Sequence, residues 1–294
     1  MVALKIDQLS KRYGTVQALN QLSLEINYGE IYGILGPNGS GKTTTLAILL
    51  DVIKSDSGTF TWFGGKYGND ARRHIGAILE TPNFYPYLNA KENLDIIAQI
   101  KQAPDYPLDY LLELVDLKHR QGSLFRTYSL GMKQRLAIAA SLIGDPDVLI
   151  FDEPTNGLDP QGIAEVRATI LKIAQQGKTI LFASHILDEV EKICSHVAII
   201  KKGNLMATGT VGSIINQNFL IEIKSTNLEN LQQIFEHHPM VNQISKDGEF
   251  LVLQVEEDTS IEAINQYAFS KNIILTHLKK RRKSLEAEFL EIIS

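Results

Sequence analysis

The run Ile31-Tyr32-Gly33-Ile34-Leu35-Gly36-Pro37-Asn38-Gly39-Ser40-Gly41-Lys42-Thr43-Thr44 decides the fold. Ile31 to Leu35 read as a short buried strand. Gly36 to Thr43 match the phosphate-loop pattern G-x-x-x-x-G-K-[ST], and a helix-compatible run from Thr44 to Leu50 follows. The glycines let the backbone curl until several N–H groups face one anion, and the helix behind them adds the positive end of its dipole. Lys42 then supplies a point charge to the outer phosphates of a nucleotide, and the Thr43 hydroxyl is a ligand for Mg2+. A nucleoside triphosphate is the natural ligand. The bland alternative, a Gly-rich turn that ends in lysine, has the flanking strand and helix against it.

Outward from the loop, apolar runs of strand length alternate with helical spacing. Val148 to Phe151, Thr179 to Ala183 and Val197 to Ile200 join Ile31 to Leu35 as buried, largely parallel strands of an α/β sheet. Leu4 to Leu9, Leu22 to Ile26 and Gly58 to Phe63 alternate more and suggest an antiparallel β flank. From about residue 88 to 144 the apolar spacing is helical (Leu94, Ile97, Ala98; Leu111, Leu112, Val115; Leu136, Ala139, Ala140), with Pro104 and Pro107 interrupting the first two helices. This reads as a helical subdomain set into the α/β core. After about residue 217 the order is strand, helix, hairpin at Asp247-Gly248, helix Ile261 to Phe269, strand Ile273 to Leu278 and a last helix from Leu285 to Ile293. That βαββαβ order fits a small C-terminal α+β domain of ferredoxin-like type.

The chain has 294 residues, enough for two domains, and its 44% hydrophobic and 21% charged residues exclude disordered and low-complexity classes. With 29 basic against 34 acidic residues the net charge is −5, which argues against nucleic acid as the main partner. One cysteine, Cys194, makes no internal disulfide and points to a reducing, cytoplasmic setting. The N-terminus lacks a basic start followed by an apolar block, and no stretch approaches the 18 apolar residues of a membrane span. If a membrane matters, another chain supplies the spans.

Val148-Leu149-Ile150-Phe151-Asp152-Glu153-Pro154 is a strand ending in two carboxylates, where open α/β sheets place ligand chemistry. Asp152 fits a role in holding Mg2+ through water, and Glu153 one as a general base toward an attacking water. Taken alone such a sequence is a solvated strand end; its company with the phosphate loop reverses that. Tyr128-Ser129-Leu130-Gly131-Met132-Lys133-Gln134-Arg135 opens a helix with Ser129 as N-cap, which by itself is either an ordinary capped helix or a phosphate-binding surface.

At this point the chain resembles the ATP-binding subunits of ABC transporters across residues 1 to about 217. Gly36, Pro37, Asn38, Gly39, Ser40, Gly41, Lys42, Thr43 and Thr44 match their Walker A region, and VLIFDEP matches Walker B. YSLGMKQR stands at their signature sequence, Gly157-Leu158-Asp159 at the D-loop and Ser184-His185 at the switch histidine. Tyr13 in KRYG matches the aromatic that stacks on adenine. The resemblance implies a P-loop NTPase core that binds ATP and Mg2+, with domains at 1–217 and 218–294. It also implies a second ATP-binding subunit, with a homodimer expected, so that two copies sandwich two ATP molecules. Ser129 and Gly131 would then touch the γ-phosphate held by the partner copy, His185 would contact the phosphate of its own copy, and Asp159 would line the interface. A membrane-spanning permease subunit is the further partner, placing this chain peripherally on the cytoplasmic face.

Two departures stand out. The signature carries Leu130 and Met132 where Gly and Gln are usual. Glu80, in Ile78-Leu79-Glu80-Thr81-Pro82, stands where most of the family has Gln. Its carboxylate can still offer oxygen to Mg2+ or to the lytic water, either as a conservative swap or as a relay to the helical insert. The segment GAILETPNFYPYLNAKENL is similar to bacitracin- and lantibiotic-type exporter and immunity ATPases. Two other classes compete: a soluble ABC ATPase of translation or repair, and a regulatory module without turnover. A single phosphate loop counts against the first, and Glu153 with His185 against the second. The histidines show no metal-ligand spacing. The basic run Lys279-Lys280-Arg281-Arg282-Lys283 reads as a solvated strand end or, less simply, as a contact for anionic lipid.

Overall fold

The computed structural model describes residues 1–79, 81–215, 219–256, 259–282 and 284–293. It divides into two compact units, Met1–Thr210 and Val211–Ser294, against an expected division at 217/218.

The first unit opens with β1 (Val2–Tyr13) and β2 (Val16–Asn27) and continues through β3 (Ile31–Leu35), α1 (Lys42–Leu49), β4 (Ser57–Trp62) and β5 (Ile75–Ile78). β1 pairs antiparallel with β2 on one side and β4 on the other. This is the antiparallel flank that the alternation of Leu4, Ile6, Leu22, Leu24 and Ile26 predicts.

The helical subdomain holds α2 (Ala90–Ile100), α3 (Leu108–Leu114) and α4 (Leu130–Ser141). Asn89 starts α2 with a capping box: its side chain accepts from the Glu92 N–H while the Glu92 carboxylate accepts from the Asn89 N–H. Pro104 falls between α2 and α3, and Pro107 is the N-cap of α3, so the prolines bound these helices instead of interrupting them.

Asn93, buried on α2, pins the segment that enters this subdomain. Its Oδ1 accepts from Tyr85 N–H at 2.9 Å, and its Nδ2 donates to the carbonyls of Tyr85 and Asn89 at 3.2 and 3.0 Å. Asn93→Ala strands those buried groups and is expected to cost about 2–3 kcal/mol, read from the midpoint of urea unfolding.

The unit is completed by β6 (Val148–Asp152), α5 (Pro160–Ala174), β7 (Thr179–Ser184), α6 (Leu187–Ile193), β8 (His196–Lys201) and β9 (Asn204–Thr210). The central sheet has the order β5-β6-β7-β3-β8-β9, parallel from β5 to β8, with β9 antiparallel at the edge. Every residue of β3, β6 and β7 is buried, the mark of strands covered on both faces. Cys194, just after α6, is buried in this core, which pushes its thiol pKa up.

The second unit runs α7 (Val211–Ile214), β10 (Phe219–Lys224), α8 (Leu228–Phe235), β11 (Gln243–Asp247), β12 (Phe250–Val255), α9 (Ile261–Ser270), β13 (His277–Arg282) and α10 (Leu285–Ile293). Its sheet order, β11-β12-β10-β13 with every pair antiparallel, is the interleaving expected of a ferredoxin-like domain. Ile221, Ile223, Phe235, Leu251, Leu253 and Ile264 form its separate core.

The last strand is displaced from the expected Ile273 to Leu278. Ile273 and Leu275 pack against that core from the approach to the strand, and the basic residues themselves pair with β10. Arg281 bonds Glu222 at 3.0 Å, and Lys280 donates to the Thr259 carbonyl at 2.7 Å. The run is therefore part of the sheet, with two of its cations engaged inside the unit. Among the described residues no helix is long and apolar enough to cross a membrane.

Candidate functional site

β3, β7 and β6 lie side by side and end at the same level, because register sets Leu35 beside Ser184 and Asp152 beside Ala183. The loop from Gly36, the carboxylates Asp152 and Glu153, and His185 therefore leave the sheet from three adjacent strand ends, where open parallel sheets bind ligands.

The loop is held by close backbone packing. A Cβ on Gly36 would lie 2.3 Å from both the Ile200 carbonyl and Ser40 Oγ. Gly41, the N-cap of α1, has φ 112°, and a Cβ there would lie 2.4 Å from the Ala18 carbonyl. Because Gly41 offers no side chain to the first N–H groups of α1, those donors remain for an anion. Ser40 Oγ is buried and has no hydrogen-bond partner among the described residues. A curled loop that rejects side chains, with unclaimed donors at a helix start, suits a polyphosphate.

Lys42 is 6% exposed, and its Nζ donates to the Gly36 carbonyl at 2.9 Å. The same ammonium lies 3.4 Å from Glu153 Oε1. The other oxygen, Glu153 Oε2, is 2.8 Å from His185 Nδ1 and accepts a longer bond, 3.4 Å, from the His185 backbone N–H. Glu153 sits in the left-handed region at φ 49°, with its N–H donating to the Ala183 carbonyl at 2.9 Å. A non-glycine residue in that region is strained, and such strain collects at functional positions.

For a divalent cation the available donors are the exposed Thr43 hydroxyl and the buried Asp152 carboxylate. This all-oxygen set suits Mg2+, which takes one or two protein ligands plus phosphates. Among the described residues no group of three or more His, Cys, Asp or Glu side chains forms a metal site of its own. Thr44 follows in the first turn of α1, partly buried. Tyr13 ends β1 about half exposed, with Lys11 Nζ 5.6 Å from its ring centre. Glu80 lies outside the described residues.

Ser129, Gly131 and Asp159 gather at a second place, an open cleft of about 490 Å³ that Arg135, Leu158 and Glu165 also line. Ser129 caps α4, accepting from Met132 N–H at 3.2 Å, and Asp159 caps α5, accepting from Gly162 N–H at 2.9 Å. Leu130 is 43% exposed at this rim.

Arg135, for which sequence alone suggests no role, joins the cleft's elements. Its guanidinium donates to the Val115 and Asp116 carbonyls at 3.0 and 3.2 Å and lies 3.3 Å from Glu165 on α5. A basic residue on an apolar helix face is the one sequence cue that could have marked it.

Two of the histidines outside the site are engaged structurally. His74 stacks on Tyr67 with ring centres 3.7 Å apart, and His238 meets Tyr267 edge-on at 4.1 Å, with burial lowering its pKa.

Comparison with known proteins agrees with this geometry. The profile of the ABC transporter family matches residues 19–156. An uncharacterized ABC transporter ATP-binding protein, YdbJ of Bacillus subtilis, is 36% identical over 98% of this chain and 94% of its own length. The bacitracin transport ATP-binding protein BcrA of Bacillus licheniformis is also 36% identical, over 99% of this chain and 97% of its own. Among solved structures, an ATP-binding subunit of an ABC transporter aligns with a TM-score of 0.64 at 29% identity, covering 73% of this chain and 92% of that one.

Proposed function

The chain belongs to the ATP-binding proteins of ABC transporters, ATPases that power transport, and on that premise we propose that it drives an exporter of a peptide antibiotic. It works on the cytoplasmic face of the membrane as one of two identical copies, coupled to a separate membrane-spanning permease. The observation that carries the reading is Glu153 held between Lys42 at 3.4 Å and His185 at 2.8 Å, at the mouth of a phosphate loop. The kinship with a bacitracin transport protein supports the class of cargo.

In this reading the N–H groups of Gly36 to Thr44 and the Lys42 ammonium bind the triphosphate, and Tyr13 stacks on the base. Thr43 and Asp152 hold Mg2+, which when bound neutralises charge on the phosphates. Glu153 takes the proton from the attacking water. His185 fixes the Glu153 carboxylate through Nδ1 and presents its other face to the phosphate. Ser129 and Gly131 complete the site of the second copy, with Asp159 beside them.

An open cleft of about 340 Å³, lined by Leu79, Phe84, Ile97, Ile100 and Ala137 with Lys101 on one wall, supports docking of a permease segment against the helical subdomain.

The test is reconstitution of the chain with a membrane-spanning permease that co-purifies with it, in lipid vesicles. Bacitracin or a lanthionine-containing peptide is expected to raise ATP hydrolysis several-fold. Unchanged hydrolysis with every peptide removes the export assignment and leaves the ATPase standing.

A further inference from the structure

Helix α5 carries an ion pair that takes no direct part in nucleotide binding or hydrolysis. Arg167 Nη1 donates to Glu189 Oε1 at 2.7 Å, joining α5 to α6. Glu189 is 3% exposed, and its second oxygen, Oε2, has no hydrogen-bond partner among the described residues. A buried carboxylate bonded through one oxygen contributes little net stability, since an apolar pair of similar volume would serve at least as well. Its location is more informative. Glu189 lies in the first turn of α6, four residues after His185, and α6 begins two residues after that histidine. The chain between them is set by the Ile186 N–H donating to Ser184 Oγ at 3.0 Å. At its other end, α5 begins at Asp159 in the cleft that Ser129 and Gly131 line.

We infer that Arg167 and Glu189 are a positioning pair: by tying α6 to α5 they hold the His185 loop at the height where Nδ1 meets Glu153. They touch neither nucleotide nor water and act only through His185. The inference rests on the assignment of Glu153 as base.

The test is steady-state ATP hydrolysis by the full chain carrying Arg167→Met together with Glu189→Leu, which removes both charges and leaves no unpaired ion in the core. The doubly substituted chain is expected to unfold at the wild-type temperature, because the neutral pair packs as well, and to keep its KM for ATP within about twofold. Its kcat is expected to fall about tenfold, the scale of loss when a reacting group is held loosely. Arg167→Lys alone should recover kcat to within about threefold, because a single N–H···O bond suffices at this contact. Wild-type kcat in the double variant overturns the inference, as does a KM that rises as far as kcat falls, or failure of lysine to recover turnover. Glu153→Gln measured in parallel separates the two readings. If it remains active, both fall; if it is inactive while the Met/Leu chain turns over normally, only the positioning pair falls.

Discussion

Glu153→Gln is expected to lower ATP turnover by about 10²–10³-fold while leaving nucleotide affinity within a few-fold of wild type. The amide has the shape of the carboxylate, so an oxygen can stay near Lys42 Nζ and the strained backbone at φ 49° is undisturbed. What the amide cannot do is accept a proton from water. Binding then proceeds through the loop and Lys42, hydrolysis stalls, and ATP accumulates between two copies. Phosphate release measures the first effect; size-exclusion chromatography with and without ATP, where a dimer should persist, measures the second. Turnover within tenfold of wild type would mean that another group takes the proton.

Lys42→Ala acts on the other half of the reaction. Its ammonium is nearly buried, bonded to the Gly36 carbonyl and 3.4 Å from Glu153. Removing it withdraws positive charge from the place where the phosphates bind and leaves Glu153 facing them with less compensation. Loss of one partner from a buried charge contact costs about 2–5 kcal/mol, so ATP affinity is expected to fall roughly 30-fold or more, and hydrolysis with it. Titration with a fluorescent ATP analogue gives the affinity directly. Affinity retained within threefold would remove Lys42 from the binding site. The two substitutions therefore part binding from chemistry: alanine at position 42 loses both, glutamine at position 153 only the second.

Much of this arrangement is legible in the residues because the physics is local. The phosphate loop needs glycine where backbone crowds backbone, and the continuous burial of β3, β6 and β7 leaves nearly unbroken apolar runs. The N-caps Ser129 and Asp159 are hydroxyl and carboxylate side chains at helix starts, which is where chain chemistry alone puts them. Legibility fails where tertiary structure overrides local pattern. β5 is four residues long, and β9 alternates between exposed and partly buried positions, so neither announces itself. β13 is displaced because Ile273 and Leu275, the apolar residues that suggest a strand, reach the second core from outside it, while lysines and arginines do the pairing. Arg135 with Glu165 and Arg167 with Glu189 meet across intervals of 30 and 22 residues, and no spacing rule anticipates an ion pair that exists only once the helices pack.

The basic strand β13 has one more property. It closes one side of the second unit's sheet, and an outermost strand offers its unpaired N–H and C=O groups to any other extended chain. Lys279 is exposed there, while Lys280 and Arg281 are bonded within the unit, so charged side chains and not apolar ones line this border, the composition that discourages another strand from pairing with it. The same residues that suggest a lipid contact thus suit an outer strand that does not recruit another chain.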